Sequence, residues 1–323
     1  MSKLLEIKDL HVQYSTDESV VHALNGFDLA VDKGETLGLV GETGAGKTTM
    51  ALSVLRLLPE KVGQISKGSI VYDGLEITTA NKNELLKIRG AKVSMIFQDP
   101  MTSLNPTETV GSQILELLKL HYPEMTAIEK DKRVDEIIEL VGIPASRKGN
   151  YPHEFSGGMK QRIVIAMALV CEPELLLADE PTTALDVTIQ AQILMLMKQL
   201  KVKFNSAMIM ITHDLGIVAE FCDSVAVVYG GEVVERGTVE DIFKRERNHP
   251  YTTGLFGCIP DLTTNSSRLT PIPGNMVDPT NLPLGCKFAS RCPHHKESCE
   301  QQNPPMYTSG THGIKCFLYK GNE

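Results

Sequence analysis

The chain has 323 residues, 42% hydrophobic and 22% charged, which is enough for one large α/β domain with an appendage or for two ordinary domains. A formal net charge of -8 excludes a basic nucleic-acid-binding face as the main working surface, because phosphate binding needs clustered Lys and Arg. No run reaches the roughly 18 uninterrupted apolar residues of a membrane-spanning helix, and Met1-Ser2-Lys3-Leu4-Leu5-Glu6 lacks signal-peptide architecture, so a cytoplasmic location with reduced cysteines is expected.

In chain order, apolar strand-like runs alternate with amphipathic helical stretches, the pattern of βαβ units on a parallel sheet. Residues 4–12 read as the first strand, with Tyr14 just after it. Residues 36–40 read as a short strand running into Gly41-Glu42-Thr43-Gly44-Ala45-Gly46-Lys47-Thr48. That segment matches the phosphate-loop pattern GxxxxGK followed by Ser or Thr at every defined position, and a helix-forming run at 49–58 follows it. The glycines let backbone N–H groups wrap phosphates, and the helix N-terminus adds partial positive charge. Lys47 is placed to neutralise β- and γ-phosphate oxygens, and the Thr48 hydroxyl to ligate Mg²⁺.

Next comes Ile96-Phe97-Gln98-Asp99-Pro100, then a block at 108–142 with apolar residues at helical spacing, among them Ile114, Leu117, Leu118, Val134, Ile137, Ile138 and Val141. This block suits a helical subdomain inserted into the α/β core. Phe155-Ser156-Gly157-Gly158-Met159-Lys160-Gln161-Arg162 sets a hydroxyl and two small residues at a helix start, a compact anion-binding surface. The apolar run 175–178 ends in Asp179-Glu180. Asp179 supplies the hard oxygen a metal needs, and Glu180 is expected on the other side of the pleat as a general base. A strand at 207–211 leads to Thr212-His213-Asp214, and one at 225–229 is closed by Gly230-Gly231.

Beyond Asn248, nine of the seventeen prolines and five of the seven cysteines crowd into a tail too poor in apolar residues for its own core. It must pack on the main domain or carry a cross-link. No nucleotide motif lies beyond His213, so damage to the tail, such as Cys299→Ser, is expected to spare ATP binding.

The phosphate loop, Gln98, the Ser-Gly-Gly motif, Asp179-Glu180, Ala184-Leu185-Asp186 and His213 stand in an order that resembles the ATP-binding-cassette family over residues 1 to about 245. The signature of that family reads LSGGQ, and here Phe155 and Met159 replace its Leu and Gln. The resemblance implies an α/β P-loop NTPase with a RecA-like core, an N-terminal antiparallel β subdomain and a helical subdomain at about 105–165. It places a nucleotide-binding domain at 1–247 and an irregular Cys- and Pro-rich tail at 248–323. It further implies ATP binding by Tyr14, stacked on adenine, and by Gly41, Glu42, Thr43, Gly44, Ala45, Gly46, Lys47, Thr48 and Thr49. Mg²⁺ would be held by Thr48, Gln98 and Asp179, and catalysis carried by Glu180, His213 and Gln98. Ser156, Gly157, Gly158 and Asp186 would act across a head-to-tail dimer that ATP closes and hydrolysis reopens.

The match is closer to the ATPase subunits of dipeptide and oligopeptide importers. It rests on residues 97–106, on 155–162, on Asn248-His249-Pro250-Tyr251-Thr252, and on Gly285-Cys286-Lys287-Phe288 with Arg291-Cys292-Pro293. That resemblance implies a peripheral protein on the cytoplasmic face of the membrane. Its implied partners are a second ATPase subunit in a heterodimer, two integral permease subunits and, indirectly, an extracytoplasmic substrate-binding protein, with no nucleic acid. Importers of nickel or glutathione share parts of the pattern. Non-transport cassette ATPases usually add long coiled coils, zinc insertions or a second cassette, and this chain has no sustained heptad run.

The tail cysteines Cys286, Cys292, Cys299 and Cys316 suggest a metal-derived staple. Relatives in the subfamily imply a 4Fe-4S cluster. Zn²⁺ is the alternative, although the usual C-x₂₋₄-C pairs are missing, and His294, His295 and His312 lie near enough for a mixed site. Unligated surface thiols are the third reading. Cys171, Cys222 and Cys258 read as small apolar residues.

Overall fold

The computed structural model describes residues 3–183, 185–244, 246–258 and 270–321. It opens with β1 (Lys3–Ser15) and β2 (Val20–Asp32). In β1, Leu5 and Ile7 are buried, and the buried phase then slips by one residue to Leu10 and Val12. A bulge causes the slip: Asp9 turns left-handed (φ 45) and the register with the partner strand shifts between Lys8 and His11. The chain continues through β3 (Thr36–Val40), α1 (Lys47–Val54), β4 (Gly63–Tyr72), β5 (Leu75–Glu76), α2 (Lys82–Ile88) and β6 (Val93–Ile96). Then follow α3 (Pro100–Ser103), α4 (Val110–His121), α5 (Ala127–Leu140), α6 (Gly157–Leu169), β7 (Leu175–Asp179), α7 (Val187–Phe204) and β8 (Ala207–Thr212). The last elements are α8 (Leu215–Phe221), β9 (Ser224–Tyr229), β10 (Glu232–Thr238), α9 (Val239–Phe243), α10 (Pro250–Gly257), α11 (Ser298–Gln301), β11 (Tyr307–Ser309) and β12 (His312–Ile314).

The four short apolar runs read from the sequence are β3, β7, β8 and β9. The helix expected over 49–58 starts at Lys47 and stops at Val54, because Arg56 adopts φ 48 and Pro59 lies just ahead. The helical block divides in two at Tyr122-Pro123. Thr109 caps α4, and a reciprocal Thr126–Glu129 capping box opens α5. No described helix is long and apolar enough to cross a membrane.

Two compact units emerge. The first comprises Asp32–Thr36 and Thr79–Ile211 with the first residues of β1. Its strands run parallel in the order β8-β7-β6, with Val93 opposite Leu175 and Leu175 opposite Ala207. Every residue of β7 and β8 is buried, as parallel strands covered on both faces require. Helix α6 packs on β6 and α7, and α4, α5 and α6 pack on one another.

The second unit comprises Leu5–Val31, Leu37–Thr78 and Thr212–Glu323. It holds the antiparallel sheet β2-β1-β4-β5 and the strip β11-β12-β10-β9-β3. Within that strip β3 and β9 are parallel and the other pairs antiparallel. The tail therefore does contain strands: β12 joins β10, with Ile314 opposite Glu235. Strands of three residues carry too few side chains to show a two-residue period, so the sequence did not reveal them. The tail also shares a core with the main domain, since Tyr251, Phe256 and Phe288 pack with Val40, Val227 and Tyr229. The rings of Tyr229, Tyr251 and Phe288 meet pairwise at 4.7–5.4 Å. Each such buried aromatic contributes on the order of 1.5–3 kcal/mol by area alone.

Candidate nucleotide site and cysteine cavity

β3 delivers the phosphate loop, and close approach of backbone explains two of its glycines. A Cβ on Gly41 would stand 2.2 Å from the Val228 carbonyl oxygen, and one on Gly46 would stand 2.6 Å from that of Ala23. The loop is folded on itself, Lys47 Nζ donating to the carbonyls of Gly41 (2.6 Å) and Glu42 (2.9 Å). From outside, the Gly231 N–H donates to the Ala45 carbonyl at 3.1 Å, and the Tyr251 hydroxyl accepts the Glu42 N–H at 2.8 Å. Thr43, Gly44 and Thr48 are exposed along this segment. The Tyr14 hydroxyl donates to Thr49 Oγ1 at 3.2 Å, so the structure brings Tyr14 to the start of α1. His213 lies exposed just after β8, beside Asp214, whose carboxylate caps α8 by accepting from Gly216 and Ile217.

In the first unit, Asp179 ends β7 with 2% exposure. Glu180 departs from the sequence expectation. It does not continue the pleat but turns left-handed (φ 46), its N–H donating to the Ile211 carbonyl at 2.9 Å. A non-glycine residue in that region carries roughly 1–2 kcal/mol of strain, which persists where surrounding bonds hold it. The turn aims the carboxylate, whose Oε2 accepts from Gln98 Nε2 (3.0 Å) and Thr183 Oγ1 (2.9 Å). Gln98 and Glu180, 82 residues apart in the chain, are thus brought together.

Ser156 is the N-cap of α6, and its side chain caps nothing there. Gly158 is needed for packing, because an added Cβ would lie 2.7 Å from Ile189 Cγ2 of α7. Gly157 has room, its nearest neighbour Leu185 lying 4.0 Å from the same construction. Asp186 caps α7, accepting from the Ile189 N–H at 3.0 Å, while its neighbour Ala184 lies outside the described residues. Gln161, 1% exposed, donates to the Pro181 carbonyl at 2.6 Å and ties α6 to the segment after Glu180. The sequence places Gln161 within the motif at 155–162 but does not reveal this tie, since a helical glutamine does not show its partner.

In the second unit Cys286, Cys292, Cys299 and Cys316 line one cavity, walled also by Phe288 and Phe317. Gly285 makes the approach possible: a Cβ there would stand 2.1 Å from the Cys299 carbonyl, which accepts the Cys286 N–H at 2.8 Å. Burial pushes the Cys286 thiol up to about 11 and raises those of Cys292 and Cys316, so a bound cation would be needed to hold them as thiolates. Among the described residues, no three His, Cys, Asp or Glu side chains converge as one metal ion demands. A lone Zn²⁺ needs its sulfurs about 2.3 Å from a single centre, whereas an iron–sulfur cluster takes thiolates on separate irons.

Of the histidines near these cysteines, His312 Nε2 bonds Glu235 at 2.7 Å and His295 faces Glu300 at 3.2 Å, while His294 lines the cavity itself. His249, which the sequence did not single out, also lines the cavity. Its Nδ1 accepts from the Tyr251 N–H, its buried Nε2 has no hydrogen-bond partner, and burial pushes its pKa down to about 3, so it is neutral.

Two family models match the chain, one for the ABC transporter over residues 24–183 and one for the oligopeptide/dipeptide transporter C-terminal region over 234–299. The oligopeptide transport ATP-binding protein OppD of Bacillus subtilis is 48% identical over 322 residues, 98% of this chain and 89% of that protein. The chain belongs to the ATP-binding proteins of the ABC transporter family. The dipeptide transport ATP-binding protein DppD of the same organism is 47% identical over 98% of this chain and 95% of its own length. OppD of Escherichia coli is 48% identical over 93% and 89%. Among solved structures, a dimeric ATP-binding cassette in a post-hydrolysis state with ADP and Pi superposes with a TM-score of 0.65 at 28% identity, covering 73% of this chain and 98% of that one. The cassette cbiO1 of Clostridium perfringens, part of the transporter complex cbiONQ, gives 0.65 at 29% identity, covering 76% and 92%. This ABC ATPase couples hydrolysis to transport.

Proposed function

We propose that the chain hydrolyses ATP to energise an importer of dipeptides or oligopeptides. The observation that carries this reading is the pairing of a cassette at 24–183 with a peptide-transporter C-terminal region at 234–299 in one chain. The domain division that goes with it is a cassette at 1–247, with a helical part at about 105–165, and a tail at 248–323.

The residues divide the chemistry as follows. Loop N–H groups from Gly41 to Thr48 and the Lys47 ammonium bind the β- and γ-phosphates. Tyr14 stacks on adenine. Glu180 takes a proton from the water that attacks the γ-phosphorus, and ADP leaves with the bridging oxygen. The bonds from Gln98 and Thr183 support this role by fixing the Glu180 carboxylate. His213 binds a γ-phosphate oxygen. Mg²⁺ would be held by Thr48, Gln98 and Asp179, one carboxylate with neutral oxygens, a set suited to a cation that keeps water and phosphate as its other ligands; it supplies charge neutralisation to the phosphates. Ser156, Gly157, Gly158 and Asp186 complete the site of the opposing subunit in a head-to-tail dimer.

The partners in this reading are a different ATPase subunit, two permease subunits and, through them, an extracytoplasmic substrate-binding protein, with the chain peripheral on the cytoplasmic face. The four tail cysteines hold a 4Fe-4S cluster in this reading; their lining of a common cavity supports it. The decisive experiment co-expresses the chain with its neighbouring transport subunits and reconstitutes the complex in vesicles. ATP-dependent uptake of a labelled tripeptide is the expected result. Uptake of nickel or glutathione with no peptide uptake would reassign the cargo, and failure to purify with any integral membrane subunit would sink the transport reading.

A further inference from the structure

Glu42, the second residue of the phosphate loop, is held by two residues of the C-terminal tail. Its backbone N–H donates to the Tyr251 hydroxyl at 2.8 Å. Its carboxylate receives a two-pronged pair from Arg291, Nη1 to Oε2 at 2.7 Å and Nη2 to Oε1 at 3.1 Å. Paired bonds of this kind fix direction as well as distance. The third handle of Glu42, its carbonyl, accepts from Lys47 Nζ at 2.9 Å. One residue therefore joins the tail to the lysine expected to meet the phosphates.

The grip is built to be rigid. The Arg291 side chain is only 5% exposed, against 30% for Glu42. Its guanidinium lies over the rings of Tyr229 and Phe288 at 5.7 and 5.9 Å, and its Nε donates to the Pro273 carbonyl at 2.9 Å. With two rings against it and its Nε committed, the fork has little rotamer freedom left to lose when it clasps the carboxylate. Tyr251 is equally fixed, fully buried in the aromatic cluster behind β3. A second tail residue, Met276, reaches the loop too, its Cε lying 3.7 Å from where a Gly44 Cβ would stand. A tail that merely needed anchoring could fasten to any part of the surface. This one fastens to the backbone and side chain of a residue inside the loop, on an N–H whose orientation fixes the adjoining peptide plane.

We propose that Arg291 and Tyr251 are positioning residues of the nucleotide site. They hold Glu42 so that the segment from Gly41 to Lys47 keeps the shape that receives the β- and γ-phosphates, and the C-terminal tail thereby sets the affinity for ATP. The proposal rests on residues 41–48 being the phosphate loop, and not on the nature of the cargo or on what fills the cysteine cavity.

The test uses the full chain with Mg²⁺ and measures equilibrium binding of ATP and ADP alongside thermal stability and protease sensitivity of the tail. Tyr251→Phe keeps the ring and its packing but removes the acceptor for the Glu42 N–H. Glu42→Gln keeps the shape and removes the charge. Each is expected to weaken ATP and ADP binding about tenfold, the loss of one well-placed bond to a charged or constrained group. In steady state the KM for ATP should rise by a larger factor than kcat falls. Arg291→Lys keeps the charge without the fork and should bind better than Arg291→Met. Combining Glu42→Gln with Arg291→Met should weaken binding less than the two single losses multiplied, because both break one pair. Should Arg291→Met fail to fold, Tyr251→Phe and Glu42→Gln decide the matter alone. Unchanged ATP affinity in those two, with the tail more open to protease, would reduce the contact to simple anchoring and overturn the proposal. An unaltered loop with no ATP binding even in wild type would instead defeat the phosphate-loop reading itself.

Discussion

At the scale of single residues, the chemistry was legible and its aim was not. Lys47, Asp179, Glu180, Gln98 and His213 each announce themselves by type and order, because phosphate, metal and water each demand a particular donor. Glu180→Gln is expected to keep ATP binding and lower turnover by at least about 100-fold, the usual contribution of a positioned base. Wild-type hydrolysis rates in that variant, free of contaminating ATPase, would remove Glu180 from the base role. The left-handed turn that points Glu180 toward Gln98 and Thr183 has no signature in residue type, since glutamate seldom adopts it. Cys171 illustrates a silent residue read correctly as small and apolar. Burial pushes its thiol up to about 11, so the native state resists ionising it. Its contribution to stability is thus intact below an unfolded thiol value near 9 and fades as pH climbs from there toward 11. At pH 8 a thiol alkylating reagent should label exposed Cys258 and leave Cys171 untouched in the folded chain; equal labelling of both would contradict the burial.

At the scale of elements, apolar runs with a clear period translated directly into structure. β3, β7, β8 and β9 appear where five or six buried residues follow one another. Elements with little sequence to show exist because a strand edge is available to pair with, β12 on β10 and β11 on β12, which is a property of the sheet and not of the segment. The contact of α6 with α7 is another tertiary fact, and it yields a sharp prediction. Gly158→Ala should cost about 1–3 kcal/mol through overpacking against Ile189 and depress ATP hydrolysis, whereas Gly157→Ala, which meets Leu185 only at an ordinary contact distance, should fold normally. Adding Ile189→Ala should restore the thermal midpoint of Gly158→Ala. A Gly158→Ala chain that melts with wild type would show that α7 yields freely.

At the scale of the whole chain, the order of motifs was enough to expect an ABC ATPase, and the relatives bear that out over nearly its full length. What composition could not convey is how the tail solves its shortage of apolar residues. It borrows Val40, Val227 and Tyr229 from the main domain, a debt invisible until the chain is folded. The isolated chain is expected to be a weak ATPase and largely monomeric without ATP, becoming active on mixing with a different ATPase subunit. Steady cooperative hydrolysis by the chain alone, as a stable nucleotide-free homodimer in light scattering, would argue for self-pairing. Anaerobically purified protein should be brown, with iron and acid-labile sulfide in near-equal amounts, and Cys299→Ser should bleach it; a colourless, zinc-loaded preparation would reverse that assignment. The Arg291–Glu42 pair also changes what to expect of ATP in that variant, because a loosened tail loosens the loop it clasps. Weaker ATP binding in Cys299→Ser, by isothermal titration, is now the expected outcome.

The shared aromatic core has a bearing on inheritance. Where a cassette and its tail are separable modules, lineages can exchange them by recombination at the joint and lose nothing. Here the seam runs through the interior, with Tyr229 on one side and Tyr251 and Phe288 on the other, so a crossover near residue 247 splits a jigsaw and not a hinge. A hybrid whose new tail replaced Tyr251 or Phe288 with a ring of another shape would come out mismatched at its centre. Its defect would surface first as a failure to keep nucleotide, long before any question of cargo arose. Exchange should succeed only when Glu42, Tyr229, Tyr251, Phe288 and Arg291 travel together.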